Sequence, residues 1–538
     1  MTMDYDLLII GGGAAGKEAA LLAARASLKT LLVEKEKLGG TSYHRGYHVI
    51  RALQACAQSF RAIGFTEKDP AKSGVGYGYL ARGWSDWSQI RLGVTDRLTK
   101  DLRQELASAQ IPVEKGSAKF IDNHTIQVSS AGGKSQKFTA DNIIIATGSE
   151  PSYPGDGTTF SFLAERKGVK VFNSDQILEN SVPPAHLVVL GGGHIGCELA
   201  SIYRTIGSRV TLIEEKPTIL LDWDPLVGQK VLESLTEQGV TVKTGSSFTP
   251  EMLPADCDMV LVATGRLGCT KNLDLSQIGV KWGHFIRTTR ELRIRGSDFS
   301  NIYVIGDANG LLLFDSAAHA QARVAIQNIL GNPSTVSLRL IPRSTNTDPP
   351  AAFVGLTEAE AKAAGESYEV ITEELMSTSA GQKNTIEPVQ NLVKLLYHSG
   401  SRRVLSCLAI GPNSSEIVNQ VCFWLCSNMP MESWLNVSAI HPSPSEDLRR
   451  AMQASDHSFD KDLLLSTFSR DFERIGIIAR LVMCFGAQPL SIANLGLATS
   501  CSQVAAPLGH GNRVLETPRC LLSRGNSQED VILAGCRG

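Results

Sequence analysis

The chain has 538 residues, with 52 Lys plus Arg against 54 Asp plus Glu and a formal net charge of −2, which excludes the basic stripe of a nucleic-acid binder and a surface built for anionic membranes. A composition that is 43% apolar with 49 glycines fits a turn-rich α/β protein of about three or four domains whose partners are small molecules or protein. Eleven scattered cysteines without metal-type spacing argue against a secreted disulfide framework and for a reducing compartment, so a cytoplasmic location is expected.

The amino terminus is acidic and runs straight into an apolar segment, without the basic and then apolar layout of a signal peptide. Asp6 to Ile10 reads as a short buried strand, followed by Gly11, Gly13 and Gly16 and an alanine-rich helix. At this spacing the first glycine permits a tight turn, the second lets backbone approach a pyrophosphate, and the third lets the helix pack on the strand. The helix amino terminus then offers free N–H groups to phosphate. A second strand, Thr30 to Val33, ends in Glu34, where a carboxylate meets the ribose hydroxyls. The same set recurs at Leu187 to Leu190, Gly191, Gly193 and Gly196, and at Arg209 to Ile213 ending in Glu214. Two complete units in one chain imply two dinucleotides.

Further strand ends open onto glycine turns: Thr147-Gly148 after Asn142 to Ile145, Gly265 after Met259 to Val262, and Gly306-Asp307 after Ile302 to Ile305. Pro333 and Pro342 flank a change of composition that marks a boundary. Beyond it, Thr357 to Ala364 reads as a helix and Leu392 to Tyr397 and Val404 to Ile410 as strands of a separate α+β domain. The domains expected are an FAD-binding one from 1–150 and 271–337, an NAD(P)-binding one from 151–270, a dimerisation domain at 338–455, and a partly disordered extension at 456–538. That extension contains an amphipathic helix, Ser469 to Phe485, and no run long enough to span a membrane.

These motifs resemble the flavoprotein disulfide reductases, the class I pyridine nucleotide-disulfide oxidoreductases, the group that includes dihydrolipoamide dehydrogenase and mercuric reductase. The resemblance runs over roughly residues 4–455 and rests on both glycine loops, the ATGS at 146–149, GGGHIGCELA, ATGR at 263–266, IYVIGDA at 302–308, SAAHAQARVA at 316–325, TDPPAAFVGLTEAEAKAAG at 347–365 and HPSPSE at 441–446. It implies an α/β fold of two Rossmann-like domains, for FAD and NAD(H), and a C-terminal α+β domain that forms a homodimer. FAD is then expected against Gly11, Gly13, Gly16, Glu34, Gly40, Thr41, Thr147, Gly148 and Asp307. NAD(H) is expected against Gly191, Gly193, Gly196, Glu214 and Gly265.

The resemblance breaks in GGTSYHRGYHVIRAL, where Ser42 and Tyr47 occupy the places of the family's two redox cysteines. A hydroxyl and a phenol form neither a disulfide nor a thiolate pair with flavin. Arg51 replaces a lysine and is expected to pair with Glu198 beside the flavin, while Cys56, further along that helix, reads as a small buried residue. His441 and Glu446 match the family's proton-handling pair supplied by the partner subunit. His44 and His48, one helical turn apart, are expected on one helix face, tuning the pocket rather than holding a metal. The function expected from these residues is transfer of a hydride from NADH through FAD directly to a small quinone-like acceptor, with catalytic roles for His441, Glu446, Tyr47, Arg51 and Glu198. A transhydrogenase and a redox-sensing flavoprotein without turnover are the alternatives.

Overall fold

The computed structural model describes residues 3–62, 77–155, 160, 168–180, 182–281, 283–376, 390–441 and 443–454. All of them belong to the compact unit Met1–Asp456. The expected helix Ser469 to Phe485 and the extension that carries it lie outside the described residues.

Strand Tyr5–Ile10 shows how the first sheet is made. Leu7 and Ile9 enter one core with Ala19, Ala23, Ile144 and Ala322, and Leu8 and Ile10 enter another with Ile126, Ile143, Ile145 and Val304. Side chains alternate across a strand, so a continuous apolar run is what a strand buried on both faces requires. It pairs in parallel with Thr30–Glu34 and with the end of Ser135–Ile145. Val113–Lys115 and Ile302–Val304 add parallel neighbours, and Ser117–Phe120 and Thr125–Ser129 continue the sheet antiparallel.

The second sheet is wholly parallel, in the order Thr241–Lys243, Arg209–Ile213, His186–Leu190, Met259–Val262 and Lys170–Asn173. The third is antiparallel, in the order Arg343–Thr345, Ala351–Gly355, Val404–Ile410, Gln390–His398 and Tyr368–Met376. Helix Ser414–Ser427 packs on it through Ile417 and Val421. The fold class is therefore α/β with mixed sheets, as expected.

Boundaries move by a residue or two where an end is set by pairing rather than by pattern. The helix expected from Thr357 is Glu358–Ala363, with Thr357 as its N-cap in a capping box with Glu360, and Leu392 to Tyr397 lengthens to Gln390–His398. Among the described residues no helix is long and apolar enough to cross a membrane.

Candidate active site

In the first nucleotide unit the loop after Tyr5–Ile10 leads into helix Ala14–Arg25. Gly11 has φ +108°, and a Cβ there would sit 2.3 Å from the Ala146 carbonyl oxygen. A Cβ on Gly16 would lie 1.8 Å from the Gly11 carbonyl oxygen, so helix and loop touch backbone to backbone. Gly13 is the helix N-cap. Glu34 closes the unit: one oxygen accepts from the Gly12 N–H at 2.7 Å and the other from the Glu36 N–H at 2.6 Å. These two bonds fix the carboxylate at the loop rim.

Gly40 begins the short helix Gly40–His44, with Thr41 its second residue. A Cβ on Gly40 would lie 2.9 Å from the Gly13 Cα, so this helix leans directly on the first glycine loop. Thr147 Oγ1 is buried without a hydrogen-bond partner, beside Gly148 at φ +71° with open space around it. Asp307 receives the Ser149 hydroxyl at 2.6 Å, and burial raises its carboxyl above the usual range. An unpartnered hydroxyl, an enclosed carboxyl and a loop that excludes Cβ atoms together fit a dinucleotide with hydroxyl and phosphate groups to share.

The second unit repeats the geometry at Gly191 (φ +104°), whose Cβ would meet the Ala263 carbonyl oxygen at 2.4 Å, and at Gly196, whose Cβ would lie 1.9 Å from the Gly191 carbonyl oxygen. Glu214 accepts from the Gly192 N–H at 2.5 Å and the Lys216 N–H at 2.7 Å. Gly193, the N-cap of helix His194–Thr205, and Gly265 at φ +130° both face open space. Arg209, at the far end of its strand, pairs with Asp256. His194 is driven by burial to a pKa of about 4, so a neutral imidazole sits at this loop, with its ring 5.5 Å from that of Phe314.

Between the loops the structure departs from expectation at two points. Glu198, fully enclosed, accepts the Asn346 N–H at 2.5 Å and the Thr345 hydroxyl at 3.2 Å. Arg51 donates to Asn346 Oδ1 at 3.2 Å and lies 5.7 Å from the centre of the Tyr47 ring. No direct Arg51–Glu198 ion pair forms among the described residues: Asn346 bonds both groups, and the Arg51 charge still acts on the Glu198 carboxyl. Burial outweighs these bonds and holds the Glu198 carboxyl at about 7, as desolvation of a carboxylate does. His44 and His48 do not share a helix face either. Gly40–His44 and Tyr47–Ala62 are separate helices, broken at Arg45 (φ −142°, ψ 4°), and Gly46 passes so close to Thr41 that a Cβ would lie 3.0 Å from its carbonyl oxygen. His44 bonds the Leu38 carbonyl at 2.9 Å through Nε2, whereas His48 turns its Nδ1 to Ser42 at 3.3 Å from the hydroxyl.

Ser42 is buried and donates to Asp315 at the start of helix Asp315–Ile329. Tyr47 is 43% exposed. Cys56 is half-buried, and burial raises its thiol pKa, so it is a poor thiolate source. His441 is largely exposed, its Nδ1 held 2.9 Å from both Glu446 oxygens. That bond holds the Glu446 carboxyl below its usual range.

Sequence reasoning missed Asp315, Asn346 and Arg266. The last donates from Nε to the Ser149 hydroxyl at 2.8 Å and pairs with Asp175 at 3.1 Å, tying the two units together. An acid opening a helix is a visible signal for Asp315, and Arg266 closes the ATGR motif at 263–266; Asn346 acts across a distant stretch of chain and gives none.

Residues 5–328 match the family model of pyridine nucleotide-disulphide oxidoreductases, and residues 341–452 match that family's dimerisation domain. The dihydrolipoyl dehydrogenase of Chlorobaculum parvum is 30% identical over 473 residues, covering 84% of this chain and 97% of the relative. That of Bacillus subtilis is 28% identical over 484 residues, covering 85% and 99%. The Cu(II) complex of the HOCl-induced flavoprotein disulfide reductase RclA from Escherichia coli superposes with a TM-score of 0.70 at 25% identity, covering 85% of this chain and all of that one. These similarities overturn the expected direct hydride transfer to a quinone-like acceptor: the relatives are named for dihydrolipoyl and disulfide chemistry, in which sulfur exchanges the electrons.

Proposed function

The chain belongs to the pyridine nucleotide-disulphide oxidoreductase family, and on that premise we propose that it exchanges electrons between NAD(H) and a dithiol–disulfide couple whose sulfurs are the substrate's own. FAD and NAD(H) are the cofactors of the family, and the chain is an FAD-dependent pyridine nucleotide oxidoreductase. Bound FAD supplies a two-electron carrier between the nicotinamide and the substrate. The observation that supports the reading is the presence of two glycine cradles of the same geometry on one chain, each with a carboxylate at its rim.

Gly11, Gly13, Gly16, Glu34, Gly40, Thr41, Thr147, Gly148 and Asp307 would hold FAD. Gly191, Gly193, Gly196, Glu214 and Gly265 would hold NAD(H), with Glu214 favouring ribose hydroxyls over a 2′-phosphate. We assign 1–150 and 271–337 to FAD, 151–270 to NAD(H) and 338–455 to the homodimer contact, where Phe423 and Ile440 are 77% and 81% exposed. Glu446 orients His441 to exchange the substrate thiol's proton, Tyr47 shapes the entrance, and Arg51 and Glu198 position Asn346 between them. Ser42 and Tyr47 leave the protein without the family's redox cysteine pair.

Anaerobic titration of the FAD-loaded homodimer tests this. One equivalent of NADH per FAD bleaches the flavin without a long-wavelength thiolate band, NADPH does so at least about tenfold less effectively, and a lipoyl disulfide restores the colour. Uptake of a second equivalent overturns the absence of an internal sulfur pair, and failure of the disulfide to reoxidise the flavin overturns the substrate class.

A further inference from the structure

The segment that departs from the family pattern carries a hydrogen-bonded set the proposed function does not use. His48 Nδ1 lies 3.2 Å from the Ser42 carbonyl oxygen and 3.3 Å from the Ser42 hydroxyl. A carbonyl only accepts, so Nδ1 carries a proton in the neutral ring. The Ser42 hydroxyl, receiving that N–H, turns its own proton to the Asp315 carboxylate. The chain of donors thus has one direction, from imidazole through hydroxyl to carboxylate. His48 is held from both sides, with its ring edge-on to Tyr43 at 5.2 Å and to Tyr47 at 5.8 Å. Its Nε2 has no hydrogen-bond partner among the described residues.

We propose that His48, Ser42 and Asp315 form a proton relay. A proton taken up at His48 Nε2 makes the ring cationic. The Nδ1–H bond then breaks as an O–H bond forms on Ser42, and the original Ser42 O–H breaks as one forms on Asp315. The imidazole and the carboxyl end neutral, the serine is restored, and one proton has crossed from Nε2 to Asp315. No electrons move. The relay rests on the proposed function only in placing Ser42 beside the bound flavin, where thiol oxidation releases protons that need a path.

The titratable and charged groups around it are Tyr43 and His44 on the short helix, Tyr47 and Arg51 on the helix of His48, and Lys17, which donates to the Tyr43 hydroxyl at 2.9 Å. Lys37, Arg45 and Asp96, whose charges act on His44, and Asp307, which interacts with Asp315, lie next to these. Asp315 is the acid joined to His48 through a single hydroxyl.

The test is a nitrogen-resolved NMR titration of the histidine rings in the FAD-loaded full chain. Neutral His48 is expected to be protonated at Nδ1. Asp315→Asn lowers its proton-binding constant by about threefold to tenfold, as loss of a nearby opposite charge does. Ser42→Ala lowers it similarly, Asp315→Asn then adds less than about twofold in the Ser42→Ala background, and Ser42→Thr titrates as wild type. A neutral wild-type ring protonated at Nε2 overturns the relay without any variant. An Asp315→Asn effect that is zero, or unchanged after Ser42→Ala, overturns it too, since the first shows no link and the second a link through space. The titration reads His48 whether or not NADH bleaches the flavin, so a failed bleaching would sink the proposed function and leave the relay standing.

Discussion

The two nucleotide units share their loop geometry almost to the decimal and differ in what encloses their sheets. The first has a core of its own on each face, built from its strands, helix Ala14–Arg25 and helix Asp315–Ile329. The second owns only one face, with Val188, Leu190, Ile213 and Val260. Its other face, with Leu187, Val189, Leu199 and Tyr203, shares one core with Val49 and Leu53 of helix Tyr47–Ala62 and with Phe353, Leu392 and Leu408 of the antiparallel sheet. A buried cation reinforces that union: Lys394 Nζ lies 2.8 Å from Asp224 and 2.5 Å from Glu358. Equal local geometry therefore does not mean equal independence. The first unit supplies its own support, and the second borrows it.

The strongest way to break this comparison is to put the same clash in both loops. Gly16→Val and Gly196→Val each drive a Cβ to within 1.9 Å of a backbone oxygen, a cost of about 3 kcal/mol or more. Gly16→Val should emerge without flavin, whereas Gly196→Val should keep its flavin and lose bleaching by NADH. The ratio of flavin absorbance to protein, before and after NADH, decides; flavin loss in both would make the units interdependent.

A smaller effect is expected from Lys394→Met, which strands the buried Asp224 carboxylate and should cost about 3 kcal/mol. Hydrogen exchange after this change should rise in helix Pro225–Glu237, whose N-cap is Asp224, more than in Ala14–Arg25. Equal loss of protection in both helices would remove the claimed asymmetry.

The third effect is pH-dependent. Glu198 belongs to the borrowed face, and its folded pKa of about 7 is raised from 4.5 by burial. Its contribution to stability is fully present below the unfolded value and is lost as pH rises through about 7, amounting to at most about 3 kcal/mol. Glu198→Gln keeps an oxygen for Asn346 and Thr345 and should flatten the denaturation midpoint between pH 4.5 and 7. A midpoint that falls equally in wild type and variant would assign the pH dependence elsewhere.

The glycine cradles were legible in the sequence because a Cβ there would fall 1.8–2.4 Å from a carbonyl oxygen, and a requirement that strict marks each residue that meets it. Glu34 and Glu214 were legible because a strand end aims them at the loop. The relation of Arg51 to Glu198 was not, because it passes through Asn346, 295 residues from Arg51 in the chain. The His44–His48 spacing misled because it counts residues along one helix, and the break at Arg45 and Gly46 is set by packing of Gly46 on Thr41. Ser42 was legible as a serine in the GGTSYH segment; its bond to Asp315 spans 273 residues and becomes visible only in the fold.

The shared core of the second unit also carries a timetable. Its strand His186–Leu190 leaves the ribosome long before Val404–Ile410, whose Leu408 and Ile410 help close that core. At ordinary rates of translation the gap is roughly ten to forty seconds. Through that interval Leu187 and Val189 wait without their final cover, while the chain that will supply it is still being made. A nascent protein of this design has a period of exposed apolar surface written into its chain order, and the second unit, though made before the antiparallel sheet, cannot close its core until that sheet has been made.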